Sequence, residues 1–140
     1  MTPEGNLLLV EQYRIPCHAR VIELPAGIVG DEPQAGAETD SEAARRELLE
    51  ETGYLAEQIV PLTTGPASGG LASEVVTLFL ATGLRRTGPG GGVAHEEITV
   101  HEVPLGEAQD WLAAKARSGT LIDPKVYAGL YFIERKERPL

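Results

Sequence analysis

Residues Glu38 to Tyr54 read ETDSEAARRELLEETGY, and three carboxylates in that stretch stand at spacings with chemical consequences. Taken as a helix, the stretch stacks Glu47, Glu50 and Glu51 on one face, because side chains three and four positions apart are neighbours. Like charges so placed cost an isolated helix roughly 0.2–0.5 kcal/mol per pair. They also fall in the last turns, where the helix dipole disfavours negative charge. A cation held against that face accounts for both costs. An oxygen-only donor set of this hardness suits Mg²⁺ or Mn²⁺ rather than zinc. The competing reading is a solvated charged face, the usual condition of a Glu-rich helix.

The wider spacing separates the two readings. Glu38, Arg46, Glu47, Leu48, Glu50, Glu51 and Gly53, with Tyr54 in the last place, fill a long fixed pattern: Glu, seven residues, then Arg-Glu-aliphatic-x-Glu-Glu-x-Gly-aliphatic. This resembles the box of the Nudix hydrolases. The family's Gly six residues before the first Glu falls here on Glu32, and the matching residue is Gly27 of Leu24-Pro25-Ala26-Gly27. The connection to Glu38 is therefore about five residues longer than usual, within a Gly/Pro/acid-rich loop where insertions are tolerated.

The resemblance implies a metal held by Glu47 and Glu51, assisted by Glu50 and completed by the backbone carbonyl of Ala26. Arg46 would orient Glu50, while Gly27, Glu38 and Gly53 would support the box. For the general base, the family divides between a Glu of the box and a Glu on a distant loop. The most similar subgroup resembles ADP-ribose and nucleotide-sugar pyrophosphatases, which mostly use the loop. Here that loop is Gly90 to Glu97, offering Glu96 and Glu97. An earlier acidic position of the family pattern holds Ala94, which places Glu96 first; if both loop acids are merely solvated, Glu50 is the candidate.

Substrate contacts follow outside the box. Gln12-Tyr13-Arg14 resembles a lead-in whose Arg meets the diphosphate, a task suited to bidentate guanidinium pairing. The segment Pro66 to Glu74 partly resembles a Ser-Pro-Gly…Ser-Glu element, with Gly69 in place of the Pro. Glu74 would then approach the metals or a ribose, and Glu23 the base; each is otherwise an edge-strand acid, as Arg14 is otherwise a surface residue. The implied activity is Mg²⁺-dependent hydrolysis of the diphosphate bond of ADP-ribose or a nucleoside diphosphate sugar. Alternatives are a Nudix hydrolase of nucleoside triphosphates or other nucleotide conjugates, and a catalytically weak nucleotide-binding module. Family relatives imply a homodimer.

The elements that must position these residues are legible in outline. The chain of 140 residues is one domain's worth, 1–140, and long enough to bury a core. A net charge of −9 with no basic stripe argues against nucleic acid. The single Cys17 excludes an internal disulfide and is read as buried or idle; with only three scattered histidines, the residues argue against a zinc site. The first residues are too charged for a signal peptide, and no run approaches a membrane span, so a cytoplasmic protein with no membrane partner is expected. Strands are expected at Leu7–Gln12, Val21–Leu24, Gln58–Leu62, Val75–Leu80 and Ile98–Val103. The box helix is expected to open on a capping box at Thr39 and stop at Gly53. Helices follow at Glu107–Ala116 and Lys125–Glu134, the last with a buried face of Val126, Leu130 and Ile133. Trp111, Tyr127, Tyr131 and Phe132 are expected in core or dimer packing, and the Gly-rich stretch before Glu97 as a mobile loop or hairpin tip. The resemblance implies an α/β/α sandwich around a mixed sheet. It also implies a strand before Leu7 that Met1–Asn6 cannot supply, so a missing N-terminal strand and an exposed sheet edge are expected.

Overall fold

The computed structural model describes residues 1–30, 38–92 and 97–135. Strand β1 (Asn6–Arg14) turns through a 3₁₀ segment at Ile15–Cys17 into β2 (Ala19–Glu23). Helix α1 (Asp40–Thr52) follows, then β3 (Tyr54–Leu55), β4 (Gln58–Pro66), β5 (Val75–Thr82), β6 (Arg85–Arg86) and β7 (Thr99–Pro104). Helix α2 (Ala108–Arg117), strand β8 (Leu121–Ile122) and helix α3 (Pro124–Arg135) complete the order. The main sheet runs β7-β1-β2-β8, antiparallel except for the parallel β2–β8 pair, so it is mixed. Two-stranded ribbons β4–β5 and β3–β6 accompany it.

Five consecutive residues of β1, Leu7 to Glu11, are buried, as a strand covered on both faces must be. Their alternation assigns the layers. Leu7 and Leu9 pack with Ile22, Val103, Leu112, Val126 and Leu130 beneath α2 and α3. Leu8 packs on the other face with Leu48 of α1 and with Tyr54, Ala56 and Leu84. The result is the expected α/β/α sandwich. Ile133 joins the first core and Trp111 packs against it, whereas Tyr127 and Tyr131 are about half exposed and do not belong to either core.

Two expectations change, and three strands were not expected. No strand precedes β1 among the described residues, yet β1 is interior, flanked by β7 and β2, so the exposed edge expected there is covered. Cys17, read as buried or idle, is exposed, which removes the buried alternative. Strands β3, β6 and β8 have only two residues each, too short to carry a period in sequence.

A buried carboxylate ties α2 to the sheet. Glu11 accepts from Lys115 Nζ at 2.8 Å and pairs with His101 Nε2 at 2.9 Å. Burial alone would push this carboxyl up, but the hydrogen bonds and charges of Lys115 and His101 outweigh it and hold it below its usual range.

The box helix begins and ends where its sequence requires. Thr39 and Glu42 form a complete capping box, and Gly53 closes the helix at φ 76°, a left-handed conformation that favours glycine. Thr39→Ala is expected to cost about 1 kcal/mol of unfolding free energy, measured by urea denaturation at neutral pH. The Thr39 hydroxyl and amide hold the Glu42 carboxyl below its ordinary value of 4.5. The carboxylate's share of the cap is therefore present above that value and lost as pH falls through the lowered one. The gap between parent and variant should shrink in acid.

Candidate active site

Helix α1 buries Ala43, Glu47, Leu48, Glu51 and Thr52. Ala43, Glu47 and Glu51 form one i, i+4 row, so two carboxylates occupy a helical face that would ordinarily be apolar. They rest against the Leu24–Gly27 turn after β2. Glu51 Oε2 accepts from the Ala26 amide at 3.0 Å. A Cβ on Gly27 would lie 1.9 Å from Cδ and Oε1 of Glu47, so the carboxylate fills the space that only glycine leaves open. The turn is itself positioned from below, because Leu24 packs into the core under α3 beside Gly129.

Arg46 gathers the remaining acids. Its Nη1 lies 2.7 Å from Glu47 Oε1 and 3.3 Å from Glu50 Oε2, and its Nε lies 3.1 Å from Glu38 Oε1. Nη2 adds a bond to the Ile28 carbonyl at 3.3 Å. The guanidinium therefore serves three carboxylates and the loop backbone, where the sequence suggested Glu50 alone. Its hydrogen bonds to Glu38, outweighing desolvation and helped by the Gly30 amide at 3.2 Å, hold the Glu38 carboxyl below its usual range. Because Gly30 and Glu38 meet directly, the longer connection between them leaves and returns at one point. Glu32 lies outside the described residues.

Tyr54 stands where the box pattern has an aliphatic residue, and its surroundings explain it. The ring is buried against Leu8 and Leu48, and the hydroxyl donates to Glu102 Oε1 at 2.7 Å. Burial first, and then the Glu102 carboxylate, push the phenol up.

The other expected residues are distributed as follows. Arg14 and Glu23 meet each other, with Nε and Nη2 of Arg14 at 2.9–3.1 Å from the Glu23 carboxylate, which also accepts from Gln12 at 3.0 Å. Glu74 is exposed at the tip of the β4–β5 ribbon, its carbonyl accepting from Ala67 at 3.0 Å. Glu97 is exposed, and Glu96 lies outside the described residues with Ala94 and His95. Ala26 presents its amide to Glu51.

A cleft of about 500 Å³ opens between β2, β8 and the β4–β5 ribbon. Arg14 and Glu23 line it together with Val21, Leu78, Leu121 and Lys125. Register puts Arg14, Val21 and Glu23 on the sheet face that Leu8 shares with α1, since directly opposed residues point the same way. Glu23 is three residues from Ala26, so their Cα atoms are at most about 11 Å apart. The cleft therefore adjoins the carboxylates, although none of Glu47, Glu50 and Glu51 lines it. The sequence reading did not single out Lys125 or Leu121; only the parallel β2–β8 pairing brings them here.

The donor chemistry fits a hard divalent cation. Among the described residues no three acidic side chains converge into a complete cage, and Mg²⁺ does not require one, because it commonly takes one or two carboxylates with waters and substrate phosphates. Glu47 and Glu51 are two buried carboxylates of that kind, one set against Gly27 and the other bonded to the Ala26 amide.

Comparison with known proteins bears on family and fold. Residues 1–123 match the model of the NUDIX domain. The chain is 31% identical over 140 residues to the methanol dehydrogenase activator of Bacillus methanolicus, covering 98% of this chain and 70% of that protein. It is equally 31% identical, with the same coverage, to the ADP-ribose pyrophosphatase of Bacillus subtilis (strain 168). Among solved structures, an ADP compounds hydrolase superposes with a TM-score of 0.67 at 22% identity, covering 81% of this chain and 57% of that one, a likeness of fold. The buried Glu47–Glu51 pair, the Arg46 hub and these matches lead to one assignment: the chain belongs to the NUDIX domain family, as a Nudix hydrolase similar to the ADP-ribose and nucleoside diphosphate sugar pyrophosphatases.

Proposed function

We propose that the protein hydrolyses the diphosphate bond of ADP-ribose or a related nucleoside diphosphate sugar, dependent on Mg²⁺ or Mn²⁺, releasing a nucleoside monophosphate and a sugar phosphate. The observation that carries this reading is the buried Glu47–Glu51 pair set beside an apolar-walled cleft with Arg14 at its edge. Glu47 and Glu51 bind the cation, with Glu50 and the Ala26 carbonyl as further donors. When bound, that cation neutralises charge on the diphosphate and orients its oxygens. Arg14 leaves Glu23 to take phosphate oxygens, Glu23 is freed toward the base, and Glu74 contributes from the ribbon tip. Glu96 or Glu97 accepts the proton of the attacking water. The new P–O bond forms as the bridging P–O bond breaks, and the departing phosphate carries the electron pair. Glu50 is the base if the loop acids are idle.

The partner is thus a small nucleoside diphosphate derivative. We further propose a homodimer in the cytoplasm; no described helix is long and apolar enough to cross a membrane.

The decisive measurement is product analysis after incubation with Mg²⁺ and ADP-ribose, nucleotide sugars, dinucleoside polyphosphates and nucleoside triphosphates. Monophosphate release from ADP-ribose or a nucleotide sugar is expected to be fastest. Preference for triphosphates would move the assignment within the family, and binding without turnover of any compound would leave a binding module. Glu96→Gln or Glu97→Gln is expected to lower kcat by about 10²-fold with Mn²⁺ affinity retained, the usual scale of general base catalysis. Unchanged rates in both would transfer the role to Glu50.

A further inference from the structure

The Gly-rich segment between β6 and β7 is expected from sequence to be a mobile loop or hairpin tip. Its described part is instead bonded to the end of α1. The amides of Thr87 and Gly88 donate to the Gly53 carbonyl at 2.8 and 3.2 Å. The Gly91 amide donates to the Glu51 carbonyl at 2.8 Å, and the Gly92 amide to the Glu50 carbonyl at 3.1 Å. Gly90, Gly91 and Gly92 all hold positive φ, at 69°, 104° and 82°. A Cβ on Gly90 would stand 2.4 Å from the Thr52 carbonyl carbon, and one on Gly53 would stand 2.3 Å from the Gly88 oxygen. No residue with a side chain permits this approach. The segment also roots the far end of its own loop, since the Ile98 amide donates to the Gly91 carbonyl at 3.4 Å.

The last carbonyls of a helix lack partners within it and carry the negative end of the dipole. Here two of them belong to Glu50 and Glu51, whose side chains add negative charge at the same end. Amides turned onto those carbonyls satisfy them and offset the dipole where the carboxylates stand.

We propose that Gly90, Gly91 and Gly92 are positioning residues of the metal site. Their backbones fix the turn carrying Glu50 and Glu51 and hold the root of the loop leading to Glu97 against it. The proposal rests on the cation reading of the box, and the experiment keeps the two apart. Mn²⁺ binding to the metal-free protein is titrated by electron paramagnetic resonance for the parent, Gly90→Ala and Gly91→Ala. Gly119→Ala is the control, because Gly119 also holds a positive φ, 92°, with nothing within 4 Å of a Cβ. It therefore imposes comparable backbone strain away from the site. Gly90→Ala and Gly91→Ala are expected to weaken Mn²⁺ binding about tenfold or more, the scale on which outer partners of metal ligands act. Their kcat should fall with little change in KM, and the control should match the parent in Mn²⁺ affinity. If Gly90→Ala does not fold, Gly91→Ala decides: its Cβ would meet only the Ile98 oxygen, at 3.8 Å. Equal affinity in the parent and a folded Gly91→Ala overturns the positioning role. Failure of the parent itself to bind Mn²⁺ overturns the cation reading beneath it.

Discussion

Gly27→Ala is expected to reduce kcat about 100-fold while leaving the protein folded. The added methyl would occupy the volume of the Glu47 carboxylate, 1.9 Å from both Cδ and Oε1. The side chain must swing away, pulling its carboxylate from Gly27 and Arg46. A displacement of about 1 Å in a reacting constellation costs on the order of 10² in rate. Gly27 has no positive φ, so alanine introduces no backbone strain, and the loss reports the collision alone. Circular dichroism and thermal melting should match the parent, while Mn²⁺ titration shows weakened binding. Parental turnover in the variant would mean that Glu47 does not work from its position against Gly27.

Glu51→Gln is expected to lower kcat by about 10²–10³-fold, the scale of losing one preorganised electrostatic group. Glutamine keeps an oxygen that can accept from the Ala26 amide, now at 3.0 Å from Glu51 Oε2, so the turn survives. What disappears is one negative charge from a buried, acid-rich helix end. Stability measurements separate that effect from unfolding. The metal-free variant should melt no lower than the metal-free parent, because a like charge is removed. Added Mg²⁺ should raise the parent's Tm and not the variant's, since a ligand stabilises only what it binds. Near-parental activity with an intact Mg²⁺-dependent rise in Tm would show that the cation is held elsewhere.

The box was legible because its constraints are local. Thr39, Glu42 and Gly53 announce helix ends through their own backbone chemistry, and Glu47, Glu50 and Glu51 share a face by helix period alone. The long strands were legible through apolar runs. The two-residue strands were not, since pairing rather than pattern makes them strands. Residues bearing on the site went unnoticed wherever the contact joins distant segments. Lys125 reaches the cleft through β8 pairing with β2, more than 90 positions away in sequence. Arg14 and Glu23 were read as separate substrate contacts, yet the β1–β2 register sets them together on one face, where opposite charges pair.

The sequence by itself determined the box helix, its caps and its row of carboxylates, because periodicity and caps are properties of neighbours along the chain. The box in turn carried the family resemblance that implied the α/β/α layering. It also posed the cost of three acids at a helix C-terminus. Tertiary structure decided how that cost is met. It buried Glu47 and Glu51 and left Glu50 partly exposed, put Arg46 among three carboxylates, and brought Gly27 under Glu47 from 20 residues away. It turned the amides of Gly91 and Gly92, some 40 residues on, toward the carbonyls of Glu51 and Glu50. Those approaches depend on where the sheet delivers each segment, on the room that Gly27 leaves for the Glu47 carboxylate, and on the positive φ that Gly91 and Gly92 hold.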